Sequence, residues 1–451
     1  MKKLSLVGML LLTTLLTMQT ACKKDEPMTG SSSASNTMSV ARGTHANRFD
    51  ASVAAAWMKM QIRIMSSTAG IPNVAFSRPL AYSGITLYEA VLPGMPSYQS
   101  MAGQLNGLPA MPATTDNLEY YWPSSANAAL ASINRRMFPT TSVANMAAID
   151  SLENALNTSY NTLATSDAIA RSVDFGRAVA QIVYDWAQTD GYNHASDAYT
   201  APLGAGLWVP TPSGFAAAST PYWGNVRVMV SGSDANAQPS APTPYSETPG
   251  SAFYNMAQSV YDASQTLTPA QSAMGLFWRD LPGVSTPGHY LSILEQVIEL
   301  QQPTLEKAAV AYAKCGIVVF DAAVSCWKTK YTFNLVRPVT YIRNVLGHTT
   351  WLPLLSTPAH PEFSSAHAVL SAANAEVLTS LFGDNFSFTD HTHDYLGIAP
   401  RTFSSFRACG VDAGNSRYYA GIHYRPSIDI GLTQGRTIYQ NISNALVFQK
   451  L

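Results

Sequence analysis

The sequence predicts an all-α protein, a helical bundle with long irregular loops. Three observations point there. Apolar residues recur at helical spacing in most stretches beyond residue 50. Strand-like alternation is confined to residues 226–230. No internal repeat at a fixed period is present, so a stacked-repeat architecture is excluded.

In chain order, residues 1–21 read as a processing segment. Lys2 and Lys3 form a basic start, and residues 4–18 an apolar run too short to span a bilayer comfortably. Thr20, Ala21 and Cys22 then resemble a bacterial lipoprotein signal, with Cys22 as the lipidated first residue and the following Lys-Lys-Asp-Glu like a surface-export tag. The alternative is a secreted protein whose Cys22 carries no lipid. The expected location is accordingly the outer membrane, cell surface or periplasm, with membrane contact through the lipid alone. Residues 22–48 are rich in Ser, Thr, Gly and Met and form an expected tether. Residues 49–451 form one helical domain.

Within it, residues 51–65 place Val53, Trp57, Met60 and Ile64 on one helical face. Residues 85–91, 143–163, 168–189, 253–264 and 268–278 are patterned similarly, and 305–336, 365–382 and 403–419 are strong candidates. A last helix is expected over 428–448. Residues 108–123 and 201–252 are dense in Pro, Gly, Ser and Thr. The longer stretch reads as a surface excursion or lid.

Charged residues make up 12% of the chain and the formal net charge is −1. Nucleic-acid binding normally leaves a basic footprint, so any cationic patch here is local. Beyond Cys22 the cysteines are Cys315, Cys326 and Cys409. The first two share one predicted helix with roughly 16 Å of rise between them, too far for a bridge. All three read as small buried hydrophobes, with one long-range pair involving Cys409 left open.

Against that sparse charge, residues 327–429 collect Lys330, Arg337 and Arg417 together with His367 and His423. In WKTKYTFNLVRP, Lys330 and Arg337 are seven apart and differ by about 20° on a helix, so they share a face. Trp327 flanks them, and Pro338 stops the helix near Val336. In PEFSSAHAVL, Ser364 or Ser365 caps a helix whose first N–H groups, at Ser365, Ala366 and His367, form an anion site. His367 stands in the first turn as a candidate acid or base. In NSRYYAGIHYRPSID, Gly421 ends a helix and lets His423 turn back towards Arg417. One His423 nitrogen is then a candidate nucleophile or metal ligand, with Asp429 the nearest downstream carboxylate to orient the other. Each cation beside an oxyanion contributes about 4 kcal/mol at an effective dielectric near 20. Three of them make a trap for a multiply charged tetrahedral anion.

These motifs resemble the active-site signature of the superfamily that joins vanadium-dependent haloperoxidases with type 2 phosphatidic acid phosphatases and bacterial acid phosphatases. The resemblance implies that Lys330, Arg337 and Arg417 hold vanadate or phosphate and that Ser365 hydrogen-bonds it. Ala366 replaces the usual glycine and offers its N–H. His367 serves as the acid–base group, and His423 bonds directly to vanadium or phosphorus. Trp327 matches a pocket aromatic of the haloperoxidase branch, and the block WRDLPGVSTPGHY resembles one found in bacterial haloperoxidase-like proteins. His360 matches the position where bromoperoxidases carry an extra histidine. Two departures stand out: Ser364 occupies a usual proline position, and Ser427 the usual carboxylate position four after His423. His289 imitates the motif without a serine and reads as structural.

The implied reaction is oxidation of bromide or iodide, rather than chloride, by hydrogen peroxide, with vanadate as cofactor and a small organic acceptor for the hypohalous acid. His367 takes a peroxide proton, and Lys330 polarises the oxygen that halide attacks. The alternatives are a phosphomonoesterase in which His423 attacks phosphorus in a phosphate ester, and a non-catalytic surface protein binding oxyanions or glycans.

Overall fold

The computed structural model describes residues 45–450. The leader and Cys22 lie outside the described residues, as does most of the tether. Residues 45–48, expected in that tether, belong to the folded body. Ala46–Arg48 forms a 3-10 turn, and Ala46 is fully buried.

The helices are α1 (Ser52–Ser67), α2 (Ser77–Val91), α3 (Trp122–Met137), α4 (Val143–Tyr160), α5 (Ser166–Ala187), α6 (Ala252–Gln265) and α7 (Pro269–Phe277). They continue as α8 (Thr286–Gln301), α9 (Leu305–Phe333), α10 (Pro338–Asn344), α11 (Ala366–Phe382), α12 (Phe406–Tyr419) and α13 (Arg425–Ala445). A small antiparallel pair, β1 (Phe388–Asp390) with β2 (Arg401–Phe403), sets Phe388 opposite Phe403. The fold is therefore all-α in substance.

The axis of the core is α9. Thr304 caps it by accepting the Lys307 N–H, and its apolar run is long enough to cross a membrane. Yet 94% of that window is buried inside the protein, so its apolarity serves the core. α2 lies against α9 almost backbone to backbone. A Cβ on Gly84 would meet the Tyr312 carbonyl oxygen at 2.6 Å, and one on Gly316 would meet the Ala81 Cα at 2.7 Å. Any larger residue at either position forces the helices apart. From this pair, packing continues through α2 to α3 and α5, and through α9 to α11 and α13. α12 closes on α11 and α13.

Several expectations are corrected. Residues 226–230 form no strand, because the Met229 and Val230 N–H groups are taken by the buried Asp321 carboxylate of α9 at 2.6 and 3.0 Å. α9 stops at Phe333, short of Val336. Asn334 turns left-handed (φ 47°) and gives its N–H to the Lys330 carbonyl. Lys330 and Arg337 therefore do not share a helix. The 201–252 stretch is more than a surface excursion: Trp208 and Trp223 are buried, and Leu207 bridges to Leu335. It straps the end of α9. Cys315, Cys326 and Cys409, by contrast, are all buried and unbridged, as expected.

Candidate functional site

The end of α9, the 358–365 loop before α11, and the turn joining α12 to α13 converge. Lys330 lies in the last turn of α9 and is fully buried. Its ammonium donates to the carbonyls of Pro361 (3.0 Å), Glu362 (3.0 Å) and Ser364 (2.6 Å). Burial, with Arg337 and Arg417 nearby, brings this ammonium down to about 7. Arg337 reaches the same centre from the N-cap of α10, because Pro338 occupies the first helical position and pins the chain there. Its guanidinium donates to the carbonyls of His360 and Ile422, both at 2.9 Å. Arg417 comes from the last turn of α12 and donates to the Trp278 carbonyl (2.7 Å) and to Asp280 (3.1 Å). Its Nε is buried without a partner.

Gly421, at φ 78°, reverses the chain after α12 and delivers His423 to this centre. Two contacts define the state of His423. Arg337 Nη1 lies 3.2 Å from Nε2, and Nδ1 lies 2.8 Å from the Glu362 carboxylate. A guanidinium only donates, so Nε2 carries the lone pair and the proton sits on Nδ1. Burial and the three cations push the imidazole well below its ordinary value, so it stays neutral. Glu362 also accepts from the Tyr424 N–H (2.9 Å) and the Ser427 hydroxyl (2.6 Å). Burial pushes its carboxyl up while those donors and Arg337 pull it back.

The orienting carboxylate is thus Glu362 and not Asp429, as expected from sequence. α13 begins at Arg425 and turns Ser427 inward. Asp429, two residues on and about 200° around the helix, is exposed. Sequence reasoning also missed Asp280, which touches both Arg417 and, at 3.8 Å, His367 Nε2. The signal available for Glu362 was its place in Pro-Glu-Phe beside the Ser-Ser-Ala-His motif, and for Asp280 its place in the Trp-Arg-Asp block.

Ser365 is the N-cap of α11, yet its hydroxyl makes no cap bond and is buried without a partner. Its N–H is bonded to the Ser427 carbonyl at 3.1 Å. The expected contribution of that N–H to an anion site is therefore corrected, and Ala366 and His367 occupy the first two helical positions, whose N–H groups have no intrahelical acceptor. His367 Nε2 is 2.9 Å from the Trp278 carbonyl and so bears the proton, leaving Nδ1 with the lone pair. Burial and Arg417 lower this imidazole to about 3. The Trp278 carbonyl thus holds both His367 and Arg417. Its ring stacks on His289, 4.4 Å away, and His289 is in turn bonded to Asp390 at 2.7 Å. His289 is structural, as expected.

A cavity of about 250 Å³ opens onto Trp327, His360, His367, Arg417, His423 and Asp280. The His360 ring lies 5.0 Å from that of Trp327 and accepts from Arg337 at 3.0 Å. The Trp327 indole donates to Thr220 in the 201–252 strap (3.1 Å). Lys330, Arg337 and Ser365 sit directly behind this wall. A larger groove of about 900 Å³, containing Lys307, Lys314 and Lys450, is lined by no histidine, aspartate or glutamate. Chemistry places the site in the smaller cavity.

Three buried cations face two carboxylates here, so the centre is short of negative charge. Ser365 Oγ and Arg417 Nε are donors in want of an acceptor, and His423 Nε2 is a lone pair held among cations. A tetrahedral oxyanion of a metal that binds one imidazole would satisfy all of them. Among the described residues no cluster of three His, Cys, Asp or Glu side chains suits a bare metal ion.

A family model, the VCPO second helical-bundle domain, matches residues 311–448. Among solved structures, one described as the first bacterial vanadium-dependent iodoperoxidase is 31% identical, with a TM-score of 0.81 over 89% of this chain and 97% of that one. Apo and holo forms of a bacterial vanadium-dependent chloroperoxidase are each 15% identical, with TM-scores of 0.61 and 0.62 over 83% and 84% of this chain and 95% and 94% of theirs. At that identity they share the fold alone. No curated protein matches.

Proposed function

The chain belongs to the vanadium-dependent haloperoxidases, and we propose that it converts iodide or bromide, hydrogen peroxide and one proton to hypohalous acid and water, with vanadate held on His423. One observation carries the reading: the Nε2 lone pair of a neutral, carboxylate-oriented histidine stands among three buried cations and two unsatisfied donors. Lys330, Arg337, Arg417, Ser365 and the first N–H groups of α11 would hold the oxygens.

When bound, vanadate supplies a Lewis-acidic template on which peroxide becomes reactive towards halide. The protein's own groups supply the rest. Glu362 keeps the proton on His423 Nδ1, so that Nε2 remains available as a ligand. His367, with Nδ1 unprotonated, accepts a proton from peroxide, and the negative charge of a bound oxyanion raises its basicity from the low value of the free site. Lys330 and the two arginines, all three buried, stabilise negative charge there.

The preference for iodide or bromide rests on His360 beside Trp327, and it accords with the iodoperoxidase relative. The hypohalous acid then transfers halogen to a small organic acceptor. Purified protein tested with and without vanadate for peroxide-dependent iodide and bromide oxidation, beside phosphate-ester hydrolysis, checks the whole reading. Ester hydrolysis that vanadate inhibits, with no halide oxidation, would sink it.

His367→Ala is expected to lower kcat by about 10²- to 10⁴-fold, the usual weight of a positioned acid–base group. Vanadate affinity should change far less, since the one N–H of the neutral imidazole is already bonded to the Trp278 carbonyl. Steady-state kinetics with a parallel vanadate titration separate the two effects.

We also infer that the protein is tethered through lipid on Cys22 in the outer membrane, facing the periplasm or the cell surface. The basic start, short apolar run and small residues before Cys22 support this. Cys22→Ser should move the protein from the membrane fraction to the soluble fraction of expressing cells. Retention in the membrane would contradict it.

A further inference from the structure

The cavity has a second set of anion-seeking groups besides the cations. α8 starts at Thr286 with Ser285 as its N-cap, and both residues line the cavity. Ser285 makes no cap bond to its own helix. It is 2% exposed, and its hydroxyl has no hydrogen-bond partner. An N-cap serine ordinarily satisfies a first-turn N–H, so a buried hydroxyl left without any partner costs stability unless something else uses it.

Thr286 adds a second hydroxyl at the first helical position. Pro287 follows without an N–H, and Gly288 beyond it packs against the Gly283 carbonyl and does not line the cavity. The first-turn N–H of Thr286 has no intrahelical acceptor, and the dipole of this 16-residue helix adds partial positive charge at that end. Val74 and Pro287 form an apolar wall beside these donors. Asp280 also lines the cavity, but its carboxylate is 3.1 Å from Arg417, so its charge is compensated.

From this arrangement we propose that the N-terminus of α8, with Ser285 and Thr286, is the halide-binding subsite; the proposal rests on the haloperoxidase reading above. Neutral donors next to apolar carbon suit a large, weakly hydrated monovalent anion. A multiply charged oxyanion is better served by the three buried cations. Ser285 and Thr286 share one cavity of about 250 Å³ with Arg417, His367 and His423, behind which Lys330 and Arg337 lie. A halide held at α8 therefore reaches His367 and His423 without returning to bulk water.

The test uses vanadate-loaded Ser285→Ala and Thr286→Val enzymes. Iodide kinetics are measured beside vanadate affinity by calorimetry, and crystals of wild type and Ser285→Ala are soaked in iodide for anomalous scattering. KM for iodide is expected to rise about tenfold in each variant, the scale of one hydrogen bond to a charged group. The rise in KM should exceed any fall in kcat, and vanadate affinity should persist. An anomalous peak should mark the start of α8 in wild type and weaken in Ser285→Ala. Unchanged KM in both variants, with a wild type that oxidises iodide, overturns the subsite and leaves the haloperoxidase reading standing. A peak at Ser285 with unchanged KM identifies an adventitious ion only and overturns it equally. A wild type that oxidises no halide overturns both.

Discussion

His423→Ala is expected to abolish vanadate-dependent halide oxidation, with affinity for vanadate falling by more than ~10³-fold. Losing a neighbour that merely orients a metal-bound histidine already costs about 10- to 100-fold, and His423 is the direct ligand. The fold should survive the change. Glu362 keeps its bonds to the Tyr424 N–H and the Ser427 hydroxyl, and Arg337 keeps the Ile422 carbonyl. Calorimetric titration with vanadate, beside peroxidase assays at saturating cofactor, provides the check. Vanadate affinity close to wild type would place the ligand elsewhere.

Glu362→Gln is the second large effect, a loss of about 10- to 100-fold in vanadate affinity. The substitution keeps the shape of the side chain but removes a full negative charge from a fully buried position facing Arg337 and Lys330. The amide also offers one acceptor oxygen where the carboxylate offers two, and three donors converge on that carboxylate from His423, Tyr424 and Ser427. His423 loses the partner that holds its proton on Nδ1. Asp429→Asn is the matched control. Asp429 is exposed on α13, and its neutralisation should leave vanadate affinity as in wild type. Equal losses in the two variants would return the orienting role to Asp429.

The contrast between those two carboxylates shows what a linear reading reaches. Lys330, Arg337, His367, Arg417 and His423 were legible because ionisable side chains are scarce in this chain and these stand in ordered, short motifs, and Ser365 through its place two residues before His367. Glu362 was not, since its bond to His423 spans 61 positions and exists only because the 358–365 loop packs onto the α12–α13 turn. Nearness in sequence favoured Asp429, while helical periodicity turns it to solvent.

Element boundaries failed for similar reasons. The apolar pattern runs through Leu335 and Val336 past the end of α9, where left-handed Asn334 breaks the helix. α3 escaped notice because its buried face carries Ser124, Ser125, Asn127 and Asn134 among alanines, so few large apolar side chains mark a core stripe. α8 opens with Thr-Pro-Gly, which reads as a loop until the capping position is seen. In each case packing across the bundle overrode the local signal.

The most direct measurement is a crystal structure of the wild-type protein saturated with vanadate. The expected result is vanadium bonded to His423 Nε2, with Arg337 moved from that nitrogen onto an oxygen and with Ser365 Oγ and Arg417 Nε newly hydrogen-bonded. Vanadate bound away from His423, or no vanadate while Arg337 still faces Nε2, would contradict it.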